Sequence, residues 1–272
     1  MISVARHTHH DIFYQHIERD LSSHPLAVSN ISNMKTQFLP VIFFAAAVMC
    51  FIACGADPAP GNGEHGGKVG THTPAPESGD TSSIQNLLTR YDPPGRVVWQ
   101  KPEVVIGMMG SDLGNKVVAD IGAGSGFFSR RLAQQAKKVI AVELDERFIH
   151  FMDSIKLVEL KPEYQSRFET RLATPTDSKL KPGEADIVLI VNTYIYIQDR
   201  IAYLRHLLNI LPEGGKIIIV DFKKKRMPIA YPPANVRLEL FEVENELEQA
   251  GFTDFESDDC SLDFQWVVMA GK

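Results

Sequence analysis

One stretch of the chain, VVADIGAGSGFFSRRLA from Val117 to Ala133, limits the folds open to it more than any other feature. An apolar, β-branched run meets three alternating glycines and then turns into a helical pattern. Because glycine lacks a Cβ, such a bend lets the main chain turn tightly and lets a ligand approach the N–H groups at the start of a helix. The stretch therefore predicts a strand, a ligand-binding turn and a helix.

Segments with strand and helix patterns alternate from Ile84 to the last residue. This alternation predicts an α/β domain around a mostly parallel sheet. Strands are expected at about residues 116–121, 139–144, 168–173, 185–192, 216–222, 253–257 and 264–270. Helices are expected at about residues 84–90, 101–109, 126–135, 146–160, 199–211 and 235–250. In doubly wound sheets the ligand lies beyond the carboxyl ends of the strands, where the first strand-to-helix turn is also found.

The composition is that of an ordinary globular protein and excludes several functional classes. The 272 residues are 44% hydrophobic and 23% charged, with a formal net charge of −6. Because this charge gives no broad basic surface, we do not expect nucleic acid as a partner. The three cysteines, Cys50, Cys54 and Cys260, cannot form a disulfide framework, and no Cys/His spacing suits zinc. We therefore expect no metal in the folded part.

The chain ahead of the predicted domain divides into three pieces with different patterns. Residues 1–33 hold five histidines without an apolar period, and we expect an unstructured upstream segment that is not translated, since a signal pattern begins at Met34. There Lys35 precedes an unbroken apolar run at residues 38–53, which is typical of a secretory signal and short for a membrane-spanning helix. Residues 55–83 are rich in Gly, Pro, Ser and Thr and predict a flexible linker.

The end of the signal pattern, FIACG at residues 51–55, resembles a bacterial lipobox. In that motif the cysteine becomes the lipidated first residue of the mature chain, so the resemblance implies lipidation of Cys54. Residues 34–54 would then be a lipoprotein-type signal peptide, and the domain at residues 84–272 would lie in the bacterial cell envelope, on the periplasmic or surface side of a membrane. An uncleaved membrane anchor and a simple cleaved signal remain as alternatives.

Two carboxylates stand beside the predicted turn. Asp120 precedes the glycines, and Glu143 ends the second predicted strand about twenty residues later. A carboxylate at that strand end can accept hydrogen bonds from both ribose hydroxyls of an adenosine, although a solvated side chain is the alternative. The glycine spacing is G-x-G-x-G instead of the G-x-G-x-x-G of dinucleotide enzymes. Asp120 would repel a pyrophosphate but suits a ligand with ammonium and sulfonium charges, so a dehydrogenase is the poorer interpretation.

Four segments, VVADIGAGSG, VIAVELD, ADIVLIVNTYIYI and LLPEGGKIIIVDF, together resemble the class I S-adenosylmethionine-dependent methyltransferases. The resemblance covers about residue 90 to the carboxyl terminus, and the lead-in WQKP at residues 99–102 is similar to that of small-molecule methyltransferase-like domains. It implies a Rossmann-like, doubly wound sheet of seven strands, mostly parallel, with one antiparallel strand from a carboxyl-terminal hairpin. It also implies S-adenosylmethionine as the cofactor.

Carried over residue by residue, the resemblance assigns a cofactor site. Asp120 would meet the methionine amino group, partly through water, and the backbone of the glycine turn would line the methionine moiety. Glu143 would bind the ribose, Leu144 would pack on the adenine, and Asn192 would lie near the transferable methyl. The assigned cofactor-binding residues are Asp120, Gly122, Ala123, Gly124, Gly126, Glu143, Leu144 and Asn192.

One part of the chain departs from the family pattern. After the third strand, many members have an acidic residue that binds the adenine amino group, whereas this chain reads ATPT at residues 173–176. Either Asp177 takes that role or the contact is missing.

The acceptor side of the site is less defined by the sequence. Holding acceptor and methyl at reacting distance supplies much of the acceleration, so no universal catalytic residue is required. Tyr194 or Tyr196 could orient an acceptor or relay its proton, or both could simply pack. The basic run at residues 223–226 could attract an anionic acceptor or a lipid headgroup, or be only a solvated loop. The sequence predicts a methyltransferase with a small or lipid-associated acceptor; the alternative is a membrane-anchored lipoprotein that keeps the fold without turnover.

Overall fold

Seven strands form one sheet in the part of the chain that the computed structural model describes, residues 83–229 and 232–272. They are β1 (Val117–Ile121), β2 (Lys138–Glu143), β3 (Phe168–Leu172), β4 (Ile187–Val191), β5 (Lys216–Phe222), β6 (Thr253–Asp258) and β7 (Gln265–Gly271). The strand order is β3-β2-β1-β4-β5-β7-β6. Because β7 alone runs antiparallel to its neighbours, the predicted Rossmann-like sheet with one antiparallel strand is confirmed.

Helices connect the strands at positions close to those expected. In the described part of the chain they are α1 (Ile84–Tyr91), α2 (Arg96–Gln100), α3 (Pro102–Met108), α4 (Phe127–Leu132), α5 (Glu146–Glu159), α6 (Pro162–Gln165), α7 (Arg200–Ile210) and α8 (Leu240–Ala250). The helix expected from residue 235 begins at Leu240, where Glu239 and Glu242 form a reciprocal capping box. The short helices α2 and α6 lie outside the sequence prediction.

The core consists of two buried layers, one on each face of the sheet. Side chains alternate along β5, so that Ile217 and Ile219 pack in the layer that contains residues of α7 and α8. Ile218 and Val220 pack in the other layer, with residues of α3, α4 and α5. Full burial of such a side chain stabilises the fold by about 1.5–3 kcal/mol, so these layers hold the strand ends in fixed positions.

The parallel register brings three predicted site residues to one edge. Asp120 pairs with Ala141, so the bend after β1 lies level with Glu143 at the end of β2. Asn192 directly follows β4, which is the other neighbour of β1. The carboxyl ends of β1, β2 and β4 therefore form the edge at which a doubly wound sheet binds its ligand.

The amino-terminal predictions concern a part of the chain that is not described. Residues 1–33, the predicted signal peptide at 34–54 with Cys54, and the linker up to residue 82 lie outside the described residues. Of the helices from Ile84 onward, none has the length and apolar character needed to cross a membrane. The first of them, α1, is capped by the Ser83 hydroxyl, which accepts a hydrogen bond from the Asn86 N–H.

Candidate functional site

The bend between β1 and α4 is built from three glycines in the left-handed region. The φ angles of Gly122, Gly124 and Gly126 are +73°, +56° and +76°, where other residues are strained by about 1–2 kcal/mol. A Cβ on Gly122 would lie 2.3 Å from Thr193 Oγ1, and one on Gly126 would lie 3.2 Å from Met152 Sδ. A Cβ on Gly124 would meet nothing within 4 Å. Packing therefore requires glycine at position 122, a Cβ at position 126 would press on the Met152 side chain, and Gly124 faces open space that a ligand can enter.

Hydrogen bonds join this bend to the neighbouring strand. The N–H groups of Gly122 and Ala123 both donate to the Val142 carbonyl, at 2.8 and 3.1 Å, and the Ala123 side chain is buried. The Gly126 N–H donates to the Ala123 carbonyl at 2.9 Å. Because these donors are already engaged, a ligand at the bend would contact mainly the Cα of Gly124 and the groups beside it.

The Glu143 carboxylate faces the bend from the end of β2. Its Oε2 accepts the Gly124 N–H at 2.8 Å, and its Oε1 accepts the N–H groups of Leu144 and Asp145 at 2.7 and 3.1 Å. Burial raises the pKa of Glu143, and these three backbone donors oppose that shift. A carboxylate has about four acceptor positions, so this one can still accept a hydrogen bond from a hydroxyl.

An apolar surface adjoins Glu143. Leu144 is 43% exposed and Leu172, which pairs with Glu143 in the sheet, is 48% exposed. Exposed leucines beside a half-buried carboxylate suit a flat ring that carries hydroxyls next to it. The adenine-packing role of Leu144 stays a prediction.

Asp177 is engaged elsewhere. Its carboxylate accepts the Lys179 N–H at 2.8 Å, lies 2.7 Å from Lys179 Nζ and approaches His206 Nε2 at 3.7 Å. These contacts stabilise the turn after β3 and face α7. Of the two alternatives for the adenine amino group, the arrangement favours the missing acidic contact.

Asp120 is a buried carboxylate on the other side of the bend. Its Oδ2 accepts a hydrogen bond of 2.6 Å from the Ser129 hydroxyl on α4. Burial raises the pKa of Asp120 to about 6, while the bond from Ser129 and the nearby charge of Arg96 act against the rise. A cationic group at this position would favour the ionised form, which fits the predicted contact with an amino group.

The lead-in that precedes β1 packs onto the same edge, a feature that the sequence interpretation did not include in the site. The Ser125 hydroxyl of the bend donates to Asp92 at 2.8 Å. The Arg96 guanidinium lies 4.2 Å from the centroid of the Phe127 ring, and its Nε donates to Gln100 Oε1 at 2.8 Å. The four-residue spacing of Arg96 and Gln100 on a helix was the available signal.

Three carboxamides close a ring at the acceptor side of the edge. Gln100 donates to Gln265 at 2.7 Å, Gln265 donates to Asn192, and Asn192 donates to Gln100 at 3.4 Å. Asn192 has a φ of +55°, a left-handed conformation that asparagine adopts more readily than most residues. The ring joins the lead-in, β4 and β7, and it holds the Asn192 carboxamide beyond the end of β4; its place near the transferable methyl stays a prediction.

The two candidate catalytic tyrosines lie in different environments. Tyr194 has 0% exposure, and its hydroxyl donates to Glu246 Oε2 at 2.6 Å, while Glu246 also pairs with Arg200 at 2.6 Å. Burial and the Glu246 charge raise the pKa of Tyr194 well above its usual range. This geometry gives Tyr194 a packing role and does not support catalysis by its hydroxyl. Tyr196 is half-buried in the 3-10 turn after β4, and its role in catalysis stays a prediction.

The basic run after β5 is only partly a solvated loop. Lys223 Nζ donates to the carbonyls of Leu262, at 2.8 Å, and Asp259, and so holds the turn between β6 and β7. Residues 224–226 are exposed beside the carboxyl end of β5. Of the four basic residues in this run, only these three are available to an anionic partner.

Other surface features do not compete with this site. Two clefts of about 300 and 390 Å³ lie at the opposite edge, and the first is lined by Lys116, Asp186 and Lys216 at the amino ends of β1, β4 and β5. Within residues 83–229 and 232–272, no group of three His, Cys, Asp or Glu side chains is placed to hold a metal ion.

Comparison with known proteins agrees with this geometry. Residues 119–219, which run from β1 into β5, match the family model of a methyltransferase domain. A search of curated proteins found no significant match. The matched segment contains the glycine bend, Glu143 and Asn192 and excludes the lead-in.

Solved structures of low sequence identity share the fold. A SAM-dependent methyltransferase from Aquifex aeolicus is similar with a TM-score of 0.61 and 21% identity, over 70% of this chain and 98% of its own. Phosphoethanolamine N-methyltransferase 2 from Haemonchus contortus, in complex with phosphomonomethylethanolamine and S-adenosylhomocysteine, has a TM-score of 0.54 and 14% identity over 71% and 60%. A possible exported protein from Bordetella parapertussis has a TM-score of 0.51 and 16% identity over 64% and 67%. The described chain therefore has the α/β fold of the SAM-dependent methyltransferases, and the matches support S-adenosylmethionine as its cofactor.

Proposed function

We propose that this protein is an S-adenosylmethionine-dependent methyltransferase. The observation that carries the proposal is the position of the Glu143 carboxylate. It accepts a hydrogen bond from the N–H of Gly124, the one glycine of the bend with open space at its Cβ position. A ligand at Gly124 would therefore find an acceptor for its hydroxyls on one side and exposed leucines behind it. The methyltransferase-domain match over residues 119–219 supports the same reading.

The residues at the edge suit S-adenosylmethionine group by group. When bound, this cofactor supplies a methyl group activated by the sulfonium charge. Glu143 would bind the ribose through a hydroxyl, Leu144 would cover the adenine, and Asp120 would bind the amino group. Backbone donors hold Glu143 and Ser129 holds Asp120, so the chain contributes position more than acid–base chemistry.

The acceptor that we propose is a small or lipid-associated molecule with an anionic group. The support is the exposed basic segment 224–226, which follows β5 on the same edge as the cofactor residues. The Haemonchus enzyme of similar fold binds phosphomonomethylethanolamine, an acceptor of this chemical kind. The half-buried Asn192 carboxamide, held in place by the buried Gln100 and Gln265, would border the acceptor.

We further propose that the domain is tethered to a membrane outside the cytosol through lipidated Cys54. The support is the apolar run at residues 38–53 followed by the lipobox-like FIACG.

Calorimetric titration of the purified full-length chain with S-adenosylmethionine tests the proposed activity, with NADH as the control ligand. Binding of S-adenosylmethionine without binding of NADH supports it. Tighter binding of NADH would replace it with a dehydrogenase. Binding of S-adenosylmethionine combined with no methyl transfer to anionic or lipid-like acceptors would favour the alternative, a lipoprotein that keeps the fold without turnover.

A further inference from the structure

Arg96 is a cation at the glycine bend whose charge the fold itself does not neutralise by direct contact. It lies on α2, outside residues 119–219, and is half-buried against the Phe127 ring. Among the described residues, Arg96 forms no ion pair with a carboxylate. The negative charges of Asp92 and Asp120 raise the pKa of Arg96, but neither carboxylate forms an ion pair with it in the described structure.

The donors of Arg96 are only partly used. Its Nε donates to Gln100 Oε1 and one Nη donates to the Tyr91 carbonyl, each at 2.8 Å. A guanidinium has five N–H donors in a planar fork, so three remain for a further acceptor. The two contacts that are made hold the plane of the fork in one orientation on the Phe127 ring.

A positioned cation of this kind needs a reason, because burial of an unpaired charge is unfavourable. Burial lowers the pKa of Arg96 to about 10, against the opposing effect of Asp92 and Asp120, so the group is charged at pH 7. Arg131 lies 4.0 Å from the centroid of the same ring and adds a second positive charge. An anionic group brought to the bend would relieve this unfavourable arrangement.

The ligand of the proposed function carries two opposite charges at its methionine end. Asp120, two residues before Gly122, suits the ammonium group. We propose that Arg96 binds the carboxylate of that methionine moiety, an inference that rests on the proposed function. The lead-in thus completes the cofactor site from outside the matched segment: Gln100 and the Tyr91 carbonyl orient the guanidinium, and Phe127 supports its face.

Binding affinity tests this assignment without a known acceptor. The full-length chain is titrated with S-adenosylmethionine and with its decarboxylated form, which keeps the ammonium and sulfonium charges and lacks only the carboxylate. In the wild type we expect the decarboxylated form to bind at least about tenfold more weakly, ~1.4 kcal/mol. In Arg96→Gln we expect the affinity for S-adenosylmethionine to fall by about the same factor. The affinity for the decarboxylated form should change by less than about twofold.

Arg131→Gln is the matched control, since it also removes a cation from the Phe127 ring, and we expect it to lower the ratio of the two affinities less than Arg96→Gln does. Equal weakening of both ligands by Arg96→Gln, or no weakening, would overturn the assignment while leaving the proposed function in place. A wild type that binds neither ligand would overturn both. If Arg96→Gln does not fold, Arg96→Lys decides: partial retention of the preference for the carboxylate supports the assignment, and an unchanged ratio contradicts it.

Discussion

The backbone N–H of Gly124 donates a hydrogen bond of 2.8 Å to Glu143 Oε2 and so joins the first bend of the sheet to the end of the second strand. This contact fixes the carboxylate beside the point where the main chain is open to a ligand. It also explains why two residues 19 positions apart act as one unit, since β1 and β2 are neighbouring parallel strands. The proposed cofactor site is built around this pair.

Alanine substitutions at the bend should separate packing from ligand access. Gly122→Ala places a Cβ 2.3 Å from Thr193 Oγ1, so we expect backbone strain plus overpacking, together about 2–5 kcal/mol of lost stability. Gly124→Ala meets no atom within 4 Å and should lose only the strain, about 1–2 kcal/mol, while weakening S-adenosylmethionine binding because its methyl enters the open space. Urea denaturation and calorimetry measure the two effects. Gly107→Ala in α3, with nothing near its Cβ, is the control; equal stability of the first two variants would contradict the packing account.

Asp221 should make stability depend on pH. Its Oδ2 is buried without a hydrogen-bond partner in the described structure, and burial raises the pKa of Asp221 to about 7. In the unfolded chain the pKa of an aspartate is about 3.9, so between these values the folded state binds more protons. The contribution of Asp221 to the free energy of unfolding should therefore be fully present below about pH 4, fall as the pH rises to about 7, and then level off.

Asp221→Asn removes this titration, so its stability should fall less than that of the wild type over the same interval. Urea denaturation at pH values from 4.5 to 8 measures the difference between the two curves, which isolates Asp221 from Asp120, whose raised pKa acts in the same direction. A constant difference between wild type and variant across this range would show that Asp221 is ionised in the fold.

Tyr194→Phe should reduce stability and leave cofactor affinity unchanged. It removes the donor to Glu246, a charge-assisted bond of 2.6 Å in the buried layer, and should cost about 1–3 kcal/mol. Tyr203→Phe is the matched control, because that buried ring has no hydroxyl hydrogen bond within the described residues, and we expect less than about 0.5 kcal/mol. Loss of cofactor binding in Tyr194→Phe at unchanged stability would instead place its hydroxyl in the site.

Lipidation should depend on a single cysteine. In bacterial cells fed labelled palmitate, we expect the full-length chain to incorporate the label and Cys54→Ser to lose it. Cys50→Ser, four residues earlier in the same apolar run, is the control and should keep the label. Incorporation that survives Cys54→Ser would contradict the lipoprotein proposal.

The sequence predicted the sheet and the positions of the residues at the proposed cofactor edge because both depend on local patterns. The G-x-G-x-G bend and the glutamate at the next strand end are set by the strand–turn–helix unit, and they lie where expected. The carboxamide ring could not be predicted in this way, since Gln100 and Gln265 are 165 residues apart and meet only after the lead-in packs on β7.

The direction in which a side chain points was the second feature that the sequence could not predict. The pattern placed Tyr194 just after β4, but only the packing of α8 shows that its hydroxyl points to Glu246 in the buried layer. In the same way, three glycines of equal spacing have unequal roles, because Thr193 and Met152 fill the space beside two of them. Contacts from elements distant in the sequence determine both the direction of the Tyr194 hydroxyl and the space beside each glycine.

The most direct test of the account is the affinity of Glu143→Ala for S-adenosylmethionine, measured by calorimetry on the full-length chain. We predict that binding weakens by more than about tenfold, ~1.4 kcal/mol, because the ribose hydroxyls lose an ionised acceptor. Asp177→Ala, which removes a carboxylate held by Lys179 at the next turn, should bind as the wild type does. An affinity of Glu143→Ala equal to that of the wild type would contradict the central claim that this carboxylate binds the cofactor.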